Sequence, residues 1–360
     1  MQPPVFKVFN SEGCASYLIG CPTTRQAMIV DPKVGQERAY RYFLDLYGLE
    51  LAGVVDTHTH ADHLSASTRF VGPGVTLWMS HRTEVRRTKK ELEQGQELPL
   101  GDLVFRAHEV PGHTPDSLAL VGHGLALSGD SLFVGGLARA DFHGSDPAQL
   151  FESVQRELMS LPGDTLVFPG HGYNDLLFST IETERQRNPA LAHKGPAAYA
   201  ASLGAVPGAG NSAAVNGMLT RNLEADPELP DAPTNAAACC ASPGAGGEIE
   251  DVPELHPRDA QVAHAGITGP AQWVDVRDLH EWQNGRIPGT THIPLSELGF
   301  HLERLRGHAP LYLSCRSGVR SNTAAKTLRR LGVALDPVNV GGGILAWQSM
   351  GYPIEGQPAR

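Results

Sequence analysis

Short apolar runs that stop at polar, glycine- or histidine-bearing residues recur along the first part of the chain. AMIVDP, LAGVVDTHTH, VTLWMS, LVFRAHEVPGH, LALVGHGLALSGD and TLVFPGH each predict a strand leading into a loop. Between them, GQERAYRYFLDLYG and PAQLFESVQRELMSLP space their apolar residues for helices. The last third alternates more regularly. QWVDVR, THIP, PLYLS and PVNVGG predict strands, while HEWQNG, SELGFHLERLRG, RSNTAAKTLRRLG and ILAWQSMG predict helices. That alternation implies a parallel sheet covered on both faces.

The pattern thins between Gly195 and Gly247 into LGAVPGAGNSAAVNG and NAAACCASPGAGG. Helical material persists around MLTRNLEAD, but the second piece reads as a flexible linker. The expected organisation is one domain over residues 1–240, a linker over 241–255 and a second domain over 256–360. Charge separates the same parts. Residues 246–360 carry 11 Lys plus Arg against 12 Asp plus Glu, and the rest holds 18 against 27, so the acidity lies in the first domain. A net charge of −10 argues against a nucleic-acid or anionic-membrane partner. No apolar run approaches the roughly 18 residues of a membrane span. The start, MQPPVFKVFNSEG, shows no signal peptide. Five irregularly spaced cysteines do not make a disulfide framework, so a cytoplasmic location is expected.

The chemistry concentrates first in VDTHTHADHL, residues 55–64. Imidazoles and carboxylates suit iron and zinc, and the run follows a strand end and is expected to lead into a helix. A metal needs donors from several directions. His113 in EVPGHTPDSLAL, Asp130 in LALSGDSLF and His171 in VFPGHGY stand at three further strand ends. A histidine-rich surface loop would explain the cluster alone, but not these partners.

Together His58, His60, Asp62, His63, His113, Asp130 and His171 make the chain resemble the metallo-β-lactamase fold over about residues 5–235. The resemblance implies an αββα sandwich, two sheets face to face with helices outside. Two branches remain open. A glyoxalase II-like enzyme would use all seven residues for two metals, zinc or iron, and hydrolyse a glutathione thioester. A persulfide dioxygenase would hold one Fe(II) per chain through His58, His113 and Asp130, with open positions for O₂ and a substrate sulfur. His60, Asp62, His63 and His171 would then orient ligands or move protons. The GLARADF run resembles the dioxygenase branch. Arg139 and Tyr173 resemble glutathione contacts of this superfamily, although Arg139 could instead pair with Asp141.

The second concentration is Cys315-Arg-Ser-Gly-Val-Arg320, between the strand PLYLS and the helix SNTAAKTLRRL. Loop amides at a helix N-terminus, with Arg316 and Arg320, favour a thiolate, so Cys315 is expected to be a reactive nucleophile rather than a buried residue. With WVDVRDLHEWQNGRIPGTTHIP and NVGGGILAW, the loop resembles that of rhodanese sulfurtransferases over about residues 256–356. The six-residue loop matches the length that rhodaneses use for sulfane sulfur. Asp275 and Arg277 read as scaffold. The overall expectation is a metallo-β-lactamase αββα sandwich followed by a doubly wound parallel-sheet rhodanese domain. The fusion implies oxidation of glutathione persulfide with O₂ to sulfite and glutathione, beside sulfur exchange among thiosulfate, sulfite and glutathione, and it allows a homodimer. A thioester hydrolase gains nothing evident from a rhodanese neighbour.

Overall fold

The computed structural model describes residues 3–86, 89–141, 144–172, 176–203, 213–224, 251–266 and 273–356. They fall into two units, Met1–Tyr173 with Ser179–Gly247, and Asn174–Phe178 with Glu248–Arg360.

The first unit contains a sheet of β1 (Val5–Ser11), β2 (Cys14–Gly20), β3 (Gln26–Val30), β4 (Glu50–Val55), β5 (Thr76–Ser80) and β6 (Lys90–Leu92), in that order. Pairing is antiparallel from β1 to β3 and parallel from β3 to β6. A second sheet starts with β7 (Glu97–Leu100), β8 (Leu103–Glu109), β9 (Leu118–Gly122) and β10 (Leu125–Gly129). After a small hairpin of β11 (Leu132–Phe133) and β12 (Gly136–Leu137), β13 (Leu166–Pro169) and β14 (Ser179–Thr180) complete the order β14-β13-β10-β9-β8-β7. Every residue of β2 is buried, as a strand between two layers requires, whereas β8 alternates because one face meets solvent.

Phe6 and Tyr17 of the first sheet pack on Phe168 of the second, with ring centroids 4.7 and 5.9 Å apart. Outside the first sheet, α1 (Glu37–Tyr47) buries Tyr40 and Leu44 against Leu18, Ile29 and Leu77. Outside the second, α2 (Pro147–Ser153), α3 (Ile181–Arg187) and α4 (Pro196–Ser202) bury Leu150, Ile181 and Tyr199 with Ala119 and Val167. This is the expected αββα sandwich. A further helix, α5 (Ala213–Glu224), contains the MLTRNLE run.

Two elements were not read from the sequence, and one expectation changes. The β1–β2 hairpin carries no strong alternation, and its signal is the turn: Glu12 and Gly13 both adopt positive φ, 54° and 86°, as a two-residue hairpin loop needs. Helix α4, in the thinning Gly195–Gly247 stretch, was not read from the pattern either; Tyr199 stacked on Phe151 holds it. The histidine cluster does not run into an α-helix. Only a 3₁₀ turn, Ser67–Arg69, follows it. The Leu64 carbonyl accepts from the Val34 amide and the Ala66 amide donates to the Pro32 carbonyl, while the Ser65 and Ser67 hydroxyls donate to Asp56. Those groups are unavailable for helix bonds.

The second unit contains β15 (Glu254–Leu255), α6 (Pro257–Ala265), β16 (Trp273–Asp275), α7 (Leu279–Gln283), β17 (Thr291–His292), α8 (Leu302–Leu305), β18 (Leu311–Ser314), α9 (Val319–Arg330), β19 (Pro337–Val340) and α10 (Gly343–Ser349). The strands pair in parallel in the order β15-β19-β18-β16-β17. Ala260 of α6 and Trp347 of α10 pack with Trp273 and Val340, and α9 covers β18 and β19. Asp275 and Arg277 form a buried, two-pronged ion pair with a shortest distance of 2.7 Å, consistent with a scaffold role.

Gly112 shows what the turn before His113 requires. Its φ is +138°, and a Cβ there would lie 2.2 Å from the Leu150 amide nitrogen, so only glycine lets α2 close over the turn. Gly112→Ala should destabilise the first unit by about 3 kcal/mol in urea unfolding, because α2 must shift. Gly124→Ala, at φ +75° with open space around it, should cost only about 1 kcal/mol of backbone strain. Equal costs would refute the packing argument.

Candidate metal centre and cysteine loop

The donors of the first site are delivered by strand ends. β4 runs into Asp56–His63, β8 into the turn before His113, β10 into Asp130 and β13 into His171. One donor atom each from His58, His113 and Asp130 lie within 4.8 Å of one another, and all three residues are buried. Asp130 Oδ2 is 3.9 Å from His58 Nε2 and 3.7 Å from His113 Nε2. Nε2 of His58 and Oδ2 of Asp130 are shielded from water and have no hydrogen-bond partner. Buried polar atoms are ordinarily satisfied, so these fit a cation bound among them.

The reverse sides of these residues are tied down. His113 Nδ1 donates to the Arg139 carbonyl at 2.8 Å, leaving Nε2 with its lone pair. The Thr57 hydroxyl donates to Asp31 at 2.8 Å, so its oxygen accepts from His58 Nδ1 at 3.0 Å. His58 is thereby held in the same tautomer, through a buried carboxylate that sits at the end of β3. Asp130 Oδ1 accepts from His171 Nδ1 at 3.0 Å. On its other side, His171 Nε2 lies 3.0 Å from Asp62 Oδ2, which also meets His63 Nδ1 at 3.0 Å and the Cys14 thiol at 3.2 Å.

Electrostatics divide the histidines. Burial, reinforced by charge on His60, pushes His58 down to about 4, and burial also lowers His113. Both are therefore neutral near pH 7, as metal ligation requires. For His63 burial opposes the charge, but the Asp62 carboxylate beside it prevails and lifts it to about 10. His60 is raised as well, burial being outweighed by Asp31 and Asp62. Burial works against the charge of Asp62 and Asp130, yet His63 and His171 hold Asp62 low, and His171 with His58 holds Asp130 low.

Arg139 makes a two-pronged ion pair with Asp141 at 2.6 and 2.8 Å. Tyr173 lies outside the described residues. Four residues of the site went unnoticed in the sequence: Asp31, Thr57, Cys14 and Asn222. Asp31 obeys the strand-end rule that located Asp130. Asn222, on α5, donates to the carbonyls of His60 and His63, each at 2.8 Å, and no local signal marks it.

In the second unit Cys315 joins β18 to α9. Contrary to expectation the residue is buried, with 1% of its surface exposed. Its sulfur turns inward, accepts the Gly318 amide at 3.2 Å and lies 3.4 Å from Ser321 Oγ. Arg316, Ser317 and Val319 form the exposed crest. Amides of Ile344 and Leu345 donate to the carbonyls of Cys315 and Arg316 at 2.8 and 3.1 Å. A Cβ on Gly343 would stand 2.3 Å from that Cys315 oxygen, which accounts for the glycine run before α10. Arg320 is clamped by Glu281 at 2.6 and 2.8 Å; burial alone would lower it, but the Glu281 carboxylate raises it.

Known proteins share these features. Residues 11–171 match the metallo-beta-lactamase superfamily and residues 259–350 the rhodanese-like domain. The mitochondrial persulfide dioxygenase ETHE1 of Homo sapiens is 33% identical over 190 residues, covering 51% of this chain and 74% of that protein. The chain belongs to the persulfide dioxygenase family. A crystal structure of ETHE1 from Myxococcus xanthus aligns with a TM-score of 0.58 at 30% identity, over 61% of this chain and 99% of that one. A hydroxyacylglutathione hydrolase of Xanthomonas euvesicatoria pv. vesicatoria (strain 85-10) is 38% identical over 150 residues, covering 41% of this chain and 57% of that protein. This member of the persulfide dioxygenase family is thus a metal-dependent enzyme with a rhodanese-like domain attached. Among its described residues, no helix is long and apolar enough to cross a membrane.

The histidines predict a pH dependence for the metal-free protein. His58 is held near 4 when folded, against about 6.5 when unfolded, so the unfolded state takes up the extra proton. Its contribution to stability is full above pH 6.5 and is lost as the pH falls toward 4. Resistance of chelator-treated protein to chemical unfolding should therefore fall as the pH drops through that window. His58→Gln should flatten the dependence, and an unchanged slope would contradict the assignment.

Proposed function

We propose that the first unit oxidises glutathione persulfide at one Fe(II), and that the second transfers sulfane sulfur through Cys315. The observation that carries the first part is the convergence of His58, His113 and Asp130, with His58 Nε2 and Asp130 Oδ2 lacking any protein partner. Two imidazoles and one carboxylate would hold the ion. When bound, it supplies a redox-active Lewis acid with positions left open to a sulfur ligand and O₂. The overall reaction balances as glutathione persulfide, O₂ and water giving glutathione, sulfite and two protons.

The chain's own residues would orient and move protons around that centre. Thr57 with Asp31, and the carbonyl of Arg139, fix the two ligand imidazoles, while His171 fixes Asp130. His60, Asp62, His63 and His171 form a buried, already ionised network around the donors that would orient them and relay protons. Arg139 and Tyr173 are the candidates for glutathione's carboxylates and backbone, and Arg139 would reach them only by exchanging Asp141. A two-metal thioester hydrolase draws support from His60 Nδ1 and His63 Nε2, which have no hydrogen-bond partner, although His60 Nε2 lies 3.3 Å from Asp31. Against it, Asp62 Oδ2 and both nitrogens of His171 are already engaged with one another and with Asp130. The single-ion reading is therefore preferred.

In the second unit, the Cys315 thiolate would attack the outer sulfur of thiosulfate. The S–S bond breaks, sulfite leaves with the electron pair, and Cys315 carries the persulfide. Attack by glutathione thiolate on that sulfane sulfur restores Cys315 and yields glutathione persulfide. The Gly318 amide stabilises the sulfur anion, Arg316 faces the anionic donor from the crest, and Arg320 shapes the loop through Glu281.

Anaerobically purified protein should contain about one iron per chain, and His113→Ala should abolish O₂ uptake on glutathione persulfide. Two zinc ions per chain with fast hydrolysis of S-lactoylglutathione would instead establish the hydrolase. Cys315→Ser should eliminate sulfur transfer from thiosulfate to glutathione while O₂ uptake on supplied glutathione persulfide stays largely intact. Loss of both in a folded, iron-loaded variant would show that Cys315 also serves the iron site.

A further inference from the structure

We propose that Asn222 is a positioning residue of the metal centre, holding the histidine loop in register from a helix that follows the matched superfamily region. The inference rests on the reading of His58, His113 and Asp130 as the metal donors. Asn222 lies 4% exposed on α5, some 160 residues from the loop it serves. Its Nδ2 donates to the carbonyl oxygens of His60 and His63, each at 2.8 Å, and its Oδ1 accepts the Ser65 amide at 3.0 Å. One carboxamide therefore satisfies three backbone groups in the segment that begins with the donor His58.

That segment has neither a sheet ladder nor a helix of its own, so its shape must come from outside contacts. An Asn or Gln terminus alone offers two N–H donors and an acceptor together. Aspartate keeps the acceptor and loses both donors; serine keeps one donor. The hold on α5 does not depend on this side chain alone, because the Leu223 carbonyl accepts the Arg86 amide at 3.1 Å and Met218 is buried. Substitution at Asn222 should therefore loosen the loop without releasing the helix. Donors that must meet an ion within a fraction of an ångström are sensitive to such loosening.

The test uses the full chain, stripped with a chelator and titrated with Co(II), whose visible spectrum reports ligand geometry. Asn222→Ala and Asn222→Asp should weaken Co(II) binding by about 10- to 100-fold and alter the spectrum, the size expected for an outer-shell partner. Asn222→Ser should fall between them and wild type. Hydrogen exchange should accelerate over residues 58–66 but not over β9 and β10. If Asn222→Ala and Asn222→Asp do not fold, Asn222→Ser decides. Folded variants with wild-type affinity, spectrum and exchange would overturn the inference, provided His58→Ala and Asp130→Ala abolish binding in the same titration. Should those two bind Co(II) as wild type does, the triad reading falls and this inference falls with it.

Discussion

A carboxylate removed from water must recover its lost hydration from neighbouring charges and hydrogen bonds, or it does not remain ionised. The pocket of the first unit buries Asp31, Asp62 and Asp130 together with His58, His60, His63, His113 and His171. Each group is tolerable only because of the others. Asp62 collects His63, His171 and Cys14 on one oxygen, and His171 spans from that oxygen to Asp130. Asp130 accepts a hydrogen bond on one oxygen only, so its remaining charge faces His58 and His113 across gaps of 3.7 to 3.9 Å that a cation would close. The sandwich exists, in this sense, to bring the ends of five strands to that point: β3, β4, β8, β10 and β13.

Much of this was readable from the chain because strand-end placement is a local property. An apolar run followed by His or Asp identifies both a strand and the residue it presents, which is how His58, His113, Asp130 and His171 were found. The rhodanese-like unit was legible for a related reason, since its parallel sheet alternates strand and helix within short sequence distances. What escaped depends on distant partners. Asn222 is an ordinary polar residue of an unremarkable helix until the loop between β4 and the Ser67–Arg69 turn is placed against it. The absence of a helix after the cluster has the same origin, because the backbone there is spent on Pro32, Val34 and Asn222. Cys315 was mistaken for an exposed residue because the pattern places a cysteine at the head of a helix but not how far its neighbours cover it.

The two sites use opposite means to hold their central atoms in place. At Cys315 a single sulfur is stabilised by a backbone amide, and the cations on the loop are partly committed elsewhere, Arg320 to Glu281. A backbone donor cannot be lost by side-chain motion, so the Gly318 amide keeps its place at the sulfur. At the metal centre the donors are side chains, and readiness depends on tautomer. For His58 and His113 a lone pair at Nε2 follows from a fixed acceptor at Nδ1, Thr57 in one case and the Arg139 carbonyl in the other.

That difference bears on which ion the triad takes. Nitrogen and oxygen donors do not by themselves prefer iron to zinc; at equal availability zinc binds such a set more tightly. Sulfur would strengthen the bias toward soft ions, and the pocket does contain a thiol. Cys14, however, is directed at Asp62 and hydrogen-bonded to it, and is not grouped with His58, His113 and Asp130. Holding the thiol away leaves a three-donor set of intermediate hardness with coordination positions to spare. A four-coordinate ion would keep one open position beside three protein donors, whereas the proposed iron, meeting a sulfur ligand and O₂ together, would need at least two. On the single-iron proposal, the arrangement would favour the chemistry the ion performs over the tightness of its binding.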